Sequence, residues 1–146
     1  VDPQSRRDFW ANLFRLAQSG TTILVSTHYM DEAERCHHLA ILDKGVKVAD
    51  GTPQELQQNT GMHIVEVIAE NPTAAQTALD ELAEIASVTQ LGVRLRVLIP
   101  ERHGEPLRIV ERTLDARNIT ATATLAAPSL EDVFVAVTMN TTERDL

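Results

Sequence analysis

The sequence predicts an α/β protein built from two parts, and the pattern of apolar residues carries that prediction. Up to Gly61 these residues form short unbroken runs, typical of strands buried on both faces of a parallel sheet. After Gly61 they alternate with polar residues in strands separated by amphipathic helices. The segment Asn59-Thr60-Gly61 closes a short helix and marks the change. We therefore expect two domains, residues 1–61 and residues 62–146.

Length, composition and charge exclude some functions. A chain of 146 residues has room for one domain or two small ones. The aromatic fraction is 3%, and 13 Lys and Arg stand against 21 Asp and Glu, which gives a net charge of −8. Such a chain lacks a base-stacking surface and repels a phosphate backbone, so we expect no nucleic-acid partner. Nucleotide binding is compatible with this charge, because a phosphate site is local and is often built from backbone N–H groups.

Cysteine content and hydropathy give further expectations. The single cysteine, Cys36, cannot form an internal disulfide, which fits a reducing compartment. The run Cys36-His37-His38 predicts no zinc site, because adjacent residues at a helix end point in different directions and no second ligand cluster follows. No apolar run approaches the roughly 20 residues that span a bilayer. The sequence predicts neither a bound metal nor a membrane span.

The first part of the chain begins with a helix-start signal. Asp2 is expected to be the N-cap and Pro3 the first helical residue, where its missing N–H costs nothing. Thr21–Ser26 predicts a strand of a parallel sheet that ends just before His28. The other predicted elements here are a helix from Pro3 to Ser19, a short acidic helix from Tyr29 to Arg35, extended segments at Leu39–Leu42 and Val46–Ala49, and a short helix after the capping box Thr52-Pro53-Gln54-Glu55.

The second part predicts the order β-α-β-β-α-β. Its strands are His63–Ala69, Ser87–Gln90, Val93–Ile99 and Ile119–Leu125, and its helices begin at Asn71-Pro72 and at Glu105. This order matches the split βαβ, ferredoxin-like arrangement, in which two helices cover one face of an antiparallel sheet. Leu91-Gly92 predicts a tight hairpin between the two middle strands.

Side-chain exposure in the second part follows from strand alternation and helix periodicity. Arg94 and Arg96 are expected on a solvated strand face, and so are Thr120, Thr122 and Thr124. A further capping box, Ser129-Leu130-Glu131-Asp132, predicts a terminal helix. The apolar stripe of that helix comprises Leu130, Val133, Phe134 and Val137.

Four segments of the first sixty residues resemble the ATP-binding-cassette (ABC) ATPases in order and spacing. Val1–Arg7 is similar to the D-loop and the helix after it. Thr21–His28 is similar to the last core strand, which leads into the switch histidine, and Tyr29–Glu34 is similar to the segment that follows that histidine. Ile41–Leu56 is similar to the closing hairpin and helix. The sequence of residues 27–34 is most similar to that of cassettes in two-component exporters of drugs and polysaccharides. In those proteins a C-terminal extension ends in a phrase like Pro128–Phe134.

The resemblance implies a fold and a function. The chain would be the C-terminal remnant of a P-loop NTPase cassette core followed by the ferredoxin-like extension, and the intact protein would use ATP and Mg²⁺ to drive export. His28 would contact the γ-phosphate and the attacking water, and Asp2 would lie at the dimer interface. The implied partners are a second nucleotide-binding domain and a transmembrane permease subunit. The implied location is cytoplasmic, on the inner face of the cell membrane.

Two family motifs are missing from the sequence. Neither G-x-x-x-x-G-K-[ST] nor L-S-G-G-Q occurs, so nothing here cradles the α and β phosphates or supplies the lysine and the Mg²⁺ hydroxyl. The family's glutamate upstream of the D-loop would precede Val1. We therefore expect this chain by itself to bind no cofactor and to hydrolyse no ATP. A smaller departure from the family pattern is Val46, at a position where the family usually has Lys or Arg.

Alternatives remain open on the residues alone. Asp2 is an N-cap under any interpretation, and a lone His28 in a turn is more often a loop histidine than a functional one. Residues 62–138 look self-sufficient, which favours a stand-alone regulatory or partner-binding module. A third interpretation is a truncated gene product or an excised piece without independent function, since Val1 is not a methionine and the chain begins inside a motif.

Overall fold

The computed structural model describes residues 2–144 and contains two antiparallel sheets and six helices. Val1, the first residue of the predicted D-loop segment, lies outside the described residues. The helices are α1 Pro3–Gln18, α2 Met30–Ala33, α3 Pro53–Gln58, α4 Pro72–Asp80, α5 Pro106–Ala116 and α6 Leu130–Arg144. The strands are β1 Leu39–Asp43, β2 Val46–Gly51, β3 Met62–Ala69, β4 Ser87–Leu91, β5 Arg94–Pro100 and β6 Ala121–Ala126. The mixed α/β class is confirmed.

Helix α1 starts where the sequence predicts it. The Asp2 carboxylate accepts a hydrogen bond from the backbone N–H of Gln4 at 3.3 Å, and Pro3 occupies the first turn. Trp10 is the buried residue of this helix, while Phe14, one helical turn later, is 37% exposed. Most of the helix surface therefore has no covering element among the described residues.

The predicted strand at Thr21–Ser26 is wrong for the described chain. These residues belong to no helix or strand, and Leu24 is 99% exposed. A strand exists only when its N–H and C=O groups pair with a neighbour, and the described residues offer none beside this segment. The segment has the residue pattern of a buried strand, but it pairs with no sheet of the described residues.

The small sheet is the hairpin of β1 and β2, followed by α3. Lys44 and Gly45 form its turn with positive φ angles of 50° and 77°. The predicted capping box is confirmed: the Thr52 hydroxyl accepts from the Glu55 N–H at 3.1 Å, and the Glu55 carboxylate accepts from the Thr52 N–H at 3.2 Å.

The large sheet has the order β4-β5-β3-β6 with every neighbouring pair antiparallel. Strands β4 and β5 form the predicted hairpin: Leu91 pairs with Arg94, and Gly92, with φ 63°, occupies the first loop position. Helices α4 and α5 cover one face of this sheet. The core between these helices and the sheet contains Val65, Val67, Ala69, Ala75, Leu79, Leu95, Val97, Ile99, Val110 and Leu114.

The other face of the large sheet carries three cross-strand rows of four residues each, set by the register. The rows are Ser87-Leu98-Ile64-Ala126, then Thr89-Arg96-Glu66-Thr124, then Leu91-Arg94-Ile68-Thr122. Helix α6 covers the first row, where Ala136 packs on Ile64 and Leu98. The third row is open, since Leu91 and Ile68 are 46% and 44% exposed.

Arg96 corrects the predicted solvated strand face. Its side chain is only 14% exposed because the start of α6 lies over the second row and brings Asp132 against it. Arg94, at 57%, and the three threonines Thr120, Thr122 and Thr124 are exposed as predicted. Alternation assigns a face to each strand residue, but it does not say which element covers that face.

Helix α6 packs against both parts of the chain. Its residues Leu130 and Val133 are buried with Ala33 of α2, in a cluster that Leu39, Ile41 and Leu56 complete. Phe134, predicted in the apolar stripe, is 40% exposed, and Ala136 is buried on the large sheet. Leu130, Val133 and Val137 of the predicted stripe pack in one cluster, whereas Ala136, outside the stripe, packs on the large sheet. Within residues 2–144 no helix combines the length and the apolar character needed to cross a membrane.

Candidate functional site

His28 lies between the irregular segment 21–26 and helix α2, and it is exposed. Its ring packs against the Tyr29 ring, with 4.2 Å between centroids and an angle of 35° between planes. The Thr27 hydroxyl accepts a hydrogen bond from the Tyr29 N–H at 3.0 Å. This hydroxyl-to-backbone bond closes a tight turn around His28 and directs its imidazole to the surface.

Glu32 holds this turn from the next helix. Its Oε2 accepts a 2.6 Å hydrogen bond from the Thr27 hydroxyl, and its Oε1 accepts two from the Arg6 guanidinium, at 3.2 Å from Nε and 2.8 Å from Nη2. Arg6, Thr27 and Glu32 are called the Glu32 network below. The side chain of Glu32 is 16% exposed, against 66% for Asp31, whose carboxylate is 3.5 Å from Arg6.

The charge of Glu32 is stabilised by these bonds. Donation by Thr27, and then by Arg6, holds the pKa of the Glu32 carboxyl below its ordinary value. In return, the hydrogen bond to Glu32 raises the pKa of the Arg6 guanidinium. The pair therefore stays ionised at neutral pH, and its hydrogen bonds are of the charge-assisted kind.

Asp2, the second predicted site residue, is exposed at the start of α1. Its carboxylate caps the helix and lies 3.4 Å from the Ser5 hydroxyl. Among the described residues no direct contact joins Asp2 to His28. Arg6 lies between them. Its backbone N–H donates a hydrogen bond to the Asp2 carbonyl at 3.1 Å, and its guanidinium lies 5.2 Å from the centroid of the ring of Tyr29, the residue after His28.

A shallow depression opens between α1 and α2. It measures about 120 Å³ and is lined by Pro3, Arg6, Arg7, Trp10, Asp31, Glu32 and Arg35. Pockets that enclose a drug-sized ligand measure roughly 300 Å³ or more. This depression is too small to enclose a nucleotide, and His28 is not among its lining residues.

Known proteins similar to this chain share one description. Nod factor export ATP-binding protein I of Paraburkholderia xenovorans is 35% identical over 141 residues, which cover 94% of this chain and 43% of that protein. The proteins of the same name from Cupriavidus metallidurans and Ralstonia nicotianae are 43% and 45% identical over 86 residues, 58% of this chain. The chain is a homologue of ABC transporter ATP-binding subunits.

These matches cover only part of each relative. The chain spans less than half the length of the curated relatives it matches, with 43%, 28% and 27% of the three relatives covered. No protein-family model matches it. The resemblance to ABC ATPases that the motifs indicated is therefore confirmed. The chain corresponds to one part of each of these relatives.

Sequence reasoning missed the Glu32 network. Asp31 and Glu32 are adjacent carboxylates in the first turn of α2, where acidic residues are common because they complement the helix dipole. Only the fold distinguishes them, since it turns Glu32 toward Arg6 of α1, 26 positions earlier, and leaves Asp31 mostly in solvent. The five-residue spacing between Thr27 and Glu32 was the available signal.

Proposed function

We propose that this ABC homologue is the C-terminal portion of the ATP-binding subunit of an exporter, which as a whole couples ATP hydrolysis to transport across the membrane. The observation that carries the proposal is the 35% identity over 94% of the chain with an export ATP-binding protein. The intact protein then binds ATP and Mg²⁺ through residues that precede this chain. The chain alone has no phosphate-cradling motif, so it should not hydrolyse ATP.

His28 is the proposed catalytic residue, meeting the γ-phosphate and the attacking water. Its exposure and its fixed turn support this role, since phosphoryl transfer is accelerated mainly by positioned groups that stabilise charge. Asp2 is the proposed interface residue, contributing to contact with a second nucleotide-binding domain. Its exposure at the tip of α1 supports that placement.

The domain division at Gly61 and the two fold assignments belong to the same proposal. Residues 62–146 are assigned to a split βαβ, ferredoxin-like extension with a terminal helix. The strand order β4-β5-β3-β6 with two helices on one face of the sheet supports this assignment. Residues 2–61 are assigned to the end of a P-loop cassette core. The 35% identity that extends over 94% of the chain supports this assignment.

The proposed partners are a second nucleotide-binding domain and a transmembrane permease subunit, and the proposed location is the cytoplasmic face of the cell membrane. The exposed apolar side chains of α1 support burial against another body. Phe9 is 57% exposed and Leu16 is 50% exposed.

The test is Mg²⁺-dependent ATP hydrolysis by the complete protein encoded by the reading frame that contains residues 1–146. Replacing His28 by Ala should lower the turnover number by about 100-fold or more, as the loss of one charge-stabilising donor does. His37→Ala is the matched control, since His37 is also an exposed histidine, and should leave turnover unchanged. Equal turnover in wild-type and His28→Ala protein, or hydrolysis by residues 1–146 alone, would contradict the proposal.

A further inference from the structure

Burial does not fix the turn that carries His28. The imidazole is exposed, Tyr29 is 50% exposed, and the preceding segment belongs to no sheet of the described chain. An exposed turn keeps one conformation only if polar contacts hold its backbone, because solvent competes for every other interaction. The position of His28 therefore depends on the hydrogen bonds of its two neighbours.

The Thr27 hydroxyl makes the bond that spans His28. It has one hydrogen to donate and two lone pairs to accept with. Its hydrogen goes to Glu32 Oε2 at 2.6 Å, and a lone pair accepts the Tyr29 N–H at 3.0 Å. Because donation to Glu32 fixes the hydroxyl rotor, it also fixes the lone pair that receives Tyr29.

Arg6 connects this turn to α1. Its two hydrogen bonds to Glu32 Oε1 are supplemented by its guanidinium over the Tyr29 ring, 5.2 Å from the centroid. Of the two residues that flank His28, Thr27 thus bonds Glu32 and Tyr29 contacts Arg6, and Arg6 and Glu32 bond each other. The start of α1, where Asp2 lies, is one helical turn before Arg6.

We infer that Glu32 is a positioning residue for His28: with Arg6 it holds Thr27 and Tyr29 so that the imidazole and the start of α1 keep a fixed mutual position. The importance of that position for catalysis rests on the function proposed above. Glu32 itself touches no phosphate in this scheme, and it acts only through Thr27 and Arg6. The positional effect exists in the chain without nucleotide and is measurable there.

The experiment records ¹H–¹³C spectra of the histidine rings in residues 1–146. In the wild-type chain the Tyr29 ring at 4.2 Å shifts the His28 ring signals from their random-coil positions. Glu32→Ala should return these signals toward the random-coil positions, while the amide signals of strands β3 and β5 stay unchanged. Glu34→Ala, which removes an exposed carboxylate two residues later, should leave the His28 signals unchanged.

A second variant covers the case in which Glu32→Ala fails to fold. Thr27→Val keeps the shape of the side chain and removes the hydroxyl, and it should produce the same movement of the His28 signals. Glu32→Gln should produce a smaller one, since its amide oxygen still accepts from Thr27. Unchanged His28 signals in a folded Glu32→Ala or Thr27→Val chain overturn the inference.

This readout separates the inference from the proposed function. If His28→Ala leaves ATP hydrolysis by the complete protein intact, the proposed function fails although the spectra stand. If His28→Ala abolishes hydrolysis and the spectra do not respond to Glu32→Ala, only the positioning inference fails. When both hold, Glu32→Ala in the complete protein should lower kcat by about 10- to 100-fold, as misplacement of a catalytic group does, with KM for ATP changed less than kcat.

Discussion

Arg96 and Asp132 form a two-pronged ion pair between strand β5 and the first turn of α6. Arg96 Nε donates to Asp132 Oδ1 at 3.1 Å, and Nη2 donates to Oδ2 at 2.7 Å. The side chains are 14% and 5% exposed. Asp132 Oδ2 also accepts from the Ser129 N–H at 2.8 Å, so the same carboxylate caps α6 and binds the sheet.

Replacing Asp132 by Asn is expected to destabilise the protein strongly. The change leaves Arg96 charged and covered, with Glu66 at 3.1 Å as its remaining ion-pair partner among the described residues. Removing one member of a buried pair lowers the free energy of unfolding by about 3 kcal/mol. Urea denaturation measures it. Glu131→Gln, at the exposed neighbouring position, should change the free energy by no more than about 0.5 kcal/mol. Equal losses in the two variants would contradict a special role for the buried pair.

Glu32 should contribute stability that depends on pH. Its pKa is lower in the folded chain than its ordinary value of 4.5, because Thr27 and then Arg6 donate to the carboxylate. A lowered folded-state pKa means that the contribution is complete above about pH 4.5 and is lost as the pH falls through the folded-state pKa.

The measurement is the free energy of unfolding of wild-type and Glu32→Gln chains between pH 7 and pH 3. The wild type should be more stable at pH 7, and the difference should shrink toward the acid end. Glu34→Gln is the control, and its difference from wild type should not follow this pH course. A pH-independent difference for Glu32→Gln would show that packing, and not charge, is lost.

Thr52→Ala should weaken the start of α3. The variant removes the hydroxyl that accepts from the Glu55 N–H at 3.1 Å, and losing such a cap costs about 1 kcal/mol. Thr52→Ser keeps the hydroxyl and should retain most of the stability. Thermal unfolding of the three proteins measures the effect, and equal melting temperatures for Ala and Ser would rule the cap out as its source.

Gly92→Ala should destabilise the β4–β5 hairpin through the backbone alone. Gly92 has φ 63°, and no atom lies within 4 Å of the place where a Cβ would stand. The positive φ costs an L-residue about 1 kcal/mol. Gly104→Ala is the control, since Gly104 also has open space around it and lacks the positive φ. Denaturation midpoints that fall equally in both variants would contradict this explanation.

Predictions from the sequence succeeded where neighbouring residues decide the structure. The Asp2-Pro3 helix start, the Thr52–Glu55 capping box and the Leu91-Gly92 hairpin are all present. Each depends on hydrogen bonds or φ angles within four residues, which composition and spacing encode directly. The order of strands and helices after Gly61 is local in the same sense.

Predictions failed where a distant element decides. Thr21–Ser26 has the composition of a buried strand but no strand beside it in the described chain. Arg96 follows strand alternation and is nevertheless covered, because α6 brings Asp132 over it from 36 positions later. The motifs single out His28 and Asp2 as candidates, and their roles stay predictions. Glu32 is distinguished from its neighbour Asp31 only by the contact between α1 and α2.

The sequence by itself determined the helix starts, the turns, the alternation of the sheet and the kinship with ABC ATP-binding subunits. Only the tertiary structure decided which faces are covered, that α6 packs on both parts of the chain, and that Arg6 and Glu32 hold the His28 turn. The physical reason is the range of the forces involved. Caps and turns satisfy backbone groups within one turn of the chain, while burial and ion pairing depend on surfaces that meet only after folding.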